Sequence, residues 1–276
     1  LAMGIIFLVG LSVCYWAELQ GNPALAKIGL SQSMGSMEGK EVRFGIAQSA
    51  MFTTTTTSFT TGTVNNMHDT LTPLGGMIPL LHMMLNVVFG GKGVGLMNMI
   101  MYAILAVFIC GLMIGRTPEY LGKKIGPKEM RMAVILCITT PLLILVGAGI
   151  MSLDPATANS LNNPGVHGFS EVLYAATSAG GNNGSAFAGF NGNTPLINLV
   201  LGFEMLANRF IPIAAVCVLA GSLAVRPKVA TSAGTLSTSN ALFVFLLVLM
   251  VLLIGALTMF PALALGPVAE QLMMVL

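Results

Sequence analysis

Two short stretches carry the residue types that could do chemistry. One is Thr60-Thr61-Gly62, inside the polar run at 53–69; the other is Asn182-Asn183-Gly184, inside 177–189. Neither supplies a nucleophile beside a base. What both offer is peptide carbonyls: Gly admits φ values that turn successive oxygens toward a common axis. Rings of such oxygens can replace the water shell of a bare cation. Thr hydroxyls and Asn side chains would then hold each strand from behind. The plainer alternative is a pair of external loops with ordinary turn chemistry. The sequon at Asn183-Gly184-Ser185 fits that alternative, but it sits inside the proposed strand.

Bond-making chemistry has little support elsewhere. His68, His82 and His167 are scattered, no H-E-x-x-H occurs, and no resident metal is expected. Cys14, Cys110, Cys137 and Cys217 each stand alone in apolar runs, without a C-x-x-C, and read as small buried hydrophobes. His68-Asp69 could bracket an outer mouth or cap the helix that follows. Glu171 is expected in the first turn of a short helix, favoured by its dipole. Lys92, in FGGKGVG, fails the phosphate-loop spacing: no Gly stands five positions before the Gly-Lys pair, and no Ser or Thr follows it.

The elements that must position the two stretches follow from composition. The chain is 55% hydrophobic and 8% charged, against about 25% charged in soluble domains. That marks an integral membrane protein. Long apolar runs cover 1–17, 73–89, 96–115, 130–153, 196–223 and 241–265. Runs 44–52 and 169–179 are too short to cross ~30 Å of hydrocarbon. Arg116, Lys123, Lys124, Lys128 and Arg131, and later Arg226 and Lys228, place two loops on the cytoplasmic side. By parity, 154–195 then begins and ends outside, so 169–179 dips in and returns. Likewise 67–115 makes one net crossing from two runs, broken at 89–95. Backbone freed from helix at that depth must line a cavity or be buried.

The expected fold is therefore an all-α polytopic membrane protein with potassium-channel-like span–pore–span repeats and re-entrant pore helices. The expected division is 1–115 (first repeat, second span broken), 116–131 (cytoplasmic loop), 132–225 (second repeat), 226–240 (cytoplasmic loop) and 241–276 (final span). Thr60, Thr61, Gly62, Asn182, Asn183 and Gly184 form the candidate K+ filter. Asn86, Gly90, Gly91, Lys92 and Arg209 are candidates for the ion path or gate. Arg209 sits mid-span, where an uncompensated charge is costly and marks function by default; the alternative is an ion pair with Glu204. Lys92 either gates or snorkels to water. The chain opens inside an apolar run without Met, as expected of a piece of a longer protein.

MEGKEVRFG, LGGMIPL, NVVFGGKGVGL, GLMIGRTPEYLGKKI, NPGVHGFSEVLYA, NNGSAFAG and PALALGPVAE together resemble the C-terminal half of the KdpA family, along essentially the whole chain. The resemblance implies a potassium-translocating subunit of a bacterial ATP-driven uptake complex, with the third and fourth of four pore repeats. It implies K+ as the transported ion, and as partners a P-type ATPase subunit, small accessory subunits, the N-terminal half and the lipid of a bacterial inner membrane, with no nucleic acid. It also implies that Arg209 shapes the ion path and blocks leakage. The family often carries Ser-Cys-Gly where this chain has Thr60-Thr61-Gly62, and Gly-Glu where it has Leu85-Asn86. No D-K-T-G-T motif occurs, so ATP hydrolysis would belong to a partner. A gradient-driven Trk/Ktr-like transporter is the alternative.

Overall fold

The computed structural model describes residues 1–91, 94–113, 115, 118–230 and 236–275. The expected gate residue Lys92 and the loop cation Arg116 lie outside these. The helices are α1 (Ala2–Leu19), α2 (Pro23–Lys27), α3 (Gly45–Ser58), α4 (Pro73–Leu85), α5 (Val94–Met113) and α6 (Pro127–Ser152). They continue as α7 (Pro155–Ala158), α8 (Val166–Gly180), α9 (Pro195–Val225), α10 (Ala241–Leu263) and α11 (Ala269–Val275). Among the described residues five helices are long and apolar enough to cross a membrane. The chain is multi-pass.

The repeat is visible in the packing. Helices α1, α3 and α4 pack pairwise against one another, and so do α6, α8 and α9. Equivalent residues recur at a constant offset. Thr72 caps α4 ahead of Pro73, as Thr194 caps α9 ahead of Pro195, each side chain accepting from the backbone N–H three residues on. The offset also pairs Thr60 with Asn182, Gly62 with Gly184, and Asn86 with Asn208.

α3 and α8 do not span. At 14 and 15 residues they reach only ~21–22 Å. The chain leaves and rejoins one place on either side of each. Around α8, Leu161 bridges Phe190, and the Asn191 and Asn162 amides donate to the Ser160 and Gly189 carbonyls. Around α3, the Met67 amide donates to the Gly39 carbonyl at 2.9 Å. A buried pair fixes that loop: Lys40 Nζ lies 2.8 Å from Glu18 Oε2, while Glu18 Oε1 accepts from the Thr72 amide and hydroxyl. The first dip helix, α3, is longer than its apolar residues imply. The start of the polar run at 53–69 is inside α3, where Thr54, Thr55 and Thr57 each donate to the carbonyl four residues back.

The two apolar runs within 67–115 form two separate helices. α4 ends at Asn86 in left-handed conformation (φ 48°), a C-terminal position that suits Asn as well as Gly. α5 resumes at Val94. Two boundaries differ from expectation. α6 begins at Pro127, inside the expected 116–131 loop, drawn in by Pro at its first turn and by Glu129, which accepts from the Gly126 amide. The remainder of that loop holds a small hairpin, β1 (Glu119–Tyr120) against β2 (Lys123–Lys124). The final span is interrupted: α10 passes through a π-helical segment, Ala264–Val268, kinked at Gly266 before Pro267, and then into α11. Arg226 forks onto Glu129 at 2.9 and 3.0 Å, joining the foot of α9 to that of α6. All four cysteines are free; Cys14 and Cys137 are buried as expected, whereas Cys217 is exposed on α9.

Candidate functional site

The two polar stretches emerge from the ends of α3 and α8 as matched ribbons. In both, left-handed residues alternate with ordinary ones: Thr60 (φ 51°) and Gly62 (φ 73°), Asn182 (φ 53°) and Gly184 (φ 102°). Such alternation turns successive carbonyls to one side. Each ribbon is pinned to its helix alike. The Thr61 amide donates to the Thr56 carbonyl at 3.1 Å, and the Asn183 amide to the Ser178 carbonyl at 2.9 Å. The ribbons also meet: a Cβ at Gly62 would lie 2.6 Å from the Asn183 carbonyl oxygen.

Side chains hold them from behind. Along the second ribbon Asn183, Ser185 and Phe187 are buried, while Gly184 and Ala186 are exposed. The Asn183 side chain thus braces the strand, leaving only its peptide oxygen for an ion. Its Nδ2 donates to the Thr56 carbonyl at 2.9 Å, across to the other repeat. The Thr56 hydroxyl meets Thr61 Oγ1 at 2.7 Å and donates to the Thr63 carbonyl.

Beneath the ribbons lies a small cavity that gathers the expected path residues. Thr60, Asn86, Gly181, Asn182, Asn208 and Arg209 are among its lining. Gly90 and Gly91 lie within the break: the Gly91 amide donates to Thr60 Oγ1 at 2.8 Å, and the Gly90 amide to the Ser58 carbonyl at 3.1 Å. The alternative reading of Arg209 fails. Glu204 lies against Gly147 of α6, and neither of its oxygens has a hydrogen-bond partner among the described residues. Residues five apart point to different sides of a helix. Asn208 was missed in the sequence. It donates to the Gly180 carbonyl at the end of α8 and accepts from Thr140 at 3.0 Å. Its constant offset from Asn86 is the signal that would have found it.

A family model described as the potassium-transporting ATPase A subunit, KdpA, matches residues 1–272. The chain belongs to the KdpA family. It is 58% identical to the potassium-transporting ATPase potassium-binding subunit of Clostridium botulinum (strain Alaska E43 / Type E3), over 98% of this chain and 48% of that protein. It is 56% identical to the subunit of that name in Desulfovibrio desulfuricans (99% and 49%), and 53% identical to that in Rhodospirillum centenum (98% and 48%). The chain spans about half the length of the curated relatives it matches. KdpA membership displaces the Trk/Ktr alternative.

The outer end of this KdpA-family chain carries a polar cluster that the sequence misplaced. Glu171 is not in the first turn of α8; it is the sixth residue, fully buried, accepting from Asn163 Nδ2 at 2.8 Å. Asp69 does not cap α4, since Thr72 does. Asp69 instead accepts from the Gly189 amide at 3.0 Å and meets His167 Nε2 at 3.0 Å, while His167 Nδ1 meets Glu270 at 2.7 Å. Asp69, His167 and Glu171 offer atoms within 4.8 Å of one another, a spacing a metal could close. In this arrangement both imidazole nitrogens face carboxylates, which makes His167 a charged donor rather than a ligand.

Burial lowers the His167 pKa, but hydrogen bonds to Asp69 and Glu270 outweigh it and raise it to about 10. A folded pKa above the unfolded value of about 6.5 gives stability that is fully present below that value and lost as pH rises through the folded one. The assembled protein is therefore expected to melt at progressively lower temperature from about pH 7 to pH 10, and His167→Gln to flatten that decline. Parallel slopes for the two proteins, measured by thermal unfolding in detergent, would remove the cluster from this role.

Proposed function

We propose that this chain is the C-terminal half of the potassium-binding subunit of an ATP-driven potassium uptake complex. In this reading Thr60, Thr61 and Gly62, with Asn182, Asn183 and Gly184, supply half of a ring of carbonyls that receives dehydrated K+. Asn86, Gly90, Gly91 and Arg209 border its exit; Lys92, outside the described residues, belongs to the same stretch of chain. The observation that carries the reading is the paired left-handed alternation of two facing ribbons, each at the end of a helix too short to span. Rings of backbone carbonyls can select K+ over Na+ as they replace its water shell. The names of the relatives support potassium as the ion and an ATPase as the setting. Phosphoryl transfer would reside in a P-type ATPase partner, with small accessory subunits and the N-terminal half completing the assembly in a bacterial inner membrane.

The test is ⁸⁶Rb⁺ binding by the purified whole complex containing the full-length subunit. Unlabelled K+ is expected to displace the label and Na+ at equal concentration to leave it bound. Label that neither ion displaces, or that both displace equally, rules the reading out.

A further inference from the structure

Behind the ribbons runs one continuous line of hydrogen bonds joining four separate parts of the chain. His68 Nδ1 meets the Tyr174 hydroxyl at 2.7 Å. That hydroxyl meets Ser185 Oγ at 2.8 Å. Ser185 Oγ donates to Asn183 Oδ1 at 2.5 Å, and Asn183 Nδ2 donates to the Thr56 carbonyl. From Thr56 the line divides to Thr61 and to the Thr63 carbonyl on the first ribbon.

Its polarity follows from what each group can give. Asn183 must present Nδ2 to a carbonyl, so Oδ1 faces Ser185. Ser185 has one proton and spends it on Oδ1. Tyr174 must then donate to Ser185, and His68 must carry its proton on Nδ1 and donate to Tyr174. The line needs the proton on Nδ1, and a neutral His68 must therefore be the Nδ1–H tautomer. It is 1% exposed, and burial, with Lys40 nearby, lowers its pKa to about 4. Every link from His68 to the Thr56 carbonyl is buried, where such bonds are strong and a missing partner is costly.

Tyr174 is anchored independently of its hydroxyl. Its ring is fully buried and stacks on Phe187 with centroids 4.1 Å apart. The hydroxyl is therefore delivered to Ser185 by a rigid ring. Ser185 in turn sits one residue beyond Gly184, on the ribbon itself. Because Asn183 reaches Thr56, a displacement of the second ribbon is passed to the first.

We propose that the Tyr174 and Ser185 hydroxyls are positioning groups for both ribbons, setting a carbonyl spacing that suits K+ rather than the smaller Na+. The proposal rests on the reading of the ribbons as a filter. It makes Tyr174, outside the ribbons and touching no ion, a determinant of selectivity.

Tyr174→Phe keeps the ring and its stack and removes only the link. Ser185→Ala removes the same link from the other side, and Ser185→Thr restores the hydroxyl. The experiment is K+-stimulated ATP hydrolysis by the whole complex with the full-length subunit, titrated with K+ and with Na+. Tyr174→Phe and Ser185→Ala are each expected to raise the K+ concentration for half-stimulation about tenfold, the scale of one buried hydrogen bond, and to narrow the gap between K+ and Na+. Ser185→Thr should return both toward wild type. A purely structural role would instead lower assembly or maximal rate and leave the K+ to Na+ ratio unmoved, and that outcome overturns the proposal. If Tyr174→Phe fails to assemble, the Ser185→Ala and Ser185→Thr pair decides alone. A wild-type complex without any K+ stimulation would sink the filter reading itself; selective wild type with equally selective variants sinks only the strut.

Discussion

Gly62→Ala is expected to weaken potassium binding by about a hundredfold or more while leaving the helices intact. Gly62 sits at φ 73°, where an L-residue costs about 1–2 kcal/mol. More severely, the new methyl would stand 2.6 Å from the Asn183 carbonyl oxygen and 3.1 Å from the Gly184 carbonyl carbon. Both are backbone atoms of the opposite ribbon and cannot rotate away as a side chain would. One ribbon must move, and the oxygens that replace water around the ion move with it. Each 1.4 kcal/mol of misfit is tenfold in affinity, so a loss of about a hundredfold or more is expected in ⁸⁶Rb⁺ binding to the whole complex. Gly29→Ala is the matched control. Gly29 has φ 87°, but nothing lies within 4 Å of a Cβ there. It bears the backbone cost without the collision, and should bind as wild type does. Equal affinities for Gly62→Ala and wild type would show that the ribbons do not hold the ion.

Arg209→Ala is expected to make the complex leak. The guanidinium stands at the rim of the cavity beneath Thr60 and Asn182 and has no ion pair among the described residues. A cation entering the cavity about 5 Å away meets a repulsion of roughly 3 kcal/mol at an effective dielectric of about 20. Removing that barrier should raise passive ⁸⁶Rb⁺ flux into proteoliposomes, without ATP, by about tenfold or more. Arg209→Lys, which keeps the charge, should stay tight. Flux that is the same in wild type and Arg209→Ala would assign the charge to some other duty.

Much of this was readable in the residues, for identifiable reasons. The spans, the non-spanning dips and the break at 89–95 rest on apolar length, Gly placement and the distribution of Lys and Arg. These signals are local, or nearly so. The Thr run was misread because its composition suggests loop. In α3 the hydroxyls return their hydrogen bonds to the helix, and tertiary burial outweighs weak propensity. Asp69, Glu171 and His68 were misassigned for different reasons. Glu171 was misplaced because α8 begins at Val166, ahead of the apolar run, whereas the partners of Asp69 and His68 lie far away in sequence, as Tyr174 does from His68. Nothing local announces such a pairing. The Glu204–Arg209 pairing failed on helix geometry alone, which could have been applied beforehand. Asn208 was recoverable too, had the offset between the two ribbons been carried past Pro73 and Pro195.

The break between α4 and α5 has a mechanical meaning. Gly90 and Gly91 hold Ser58 and Thr60 by their peptide N–H groups, and Phe89 stacks on Phe59 at 4.9 Å. The start of the first ribbon is thus hung from the segment that leads into Val94–Met113. Any piston or tilt of that rod, from lipid or from a neighbouring subunit, tugs on the first ribbon where it leaves α3.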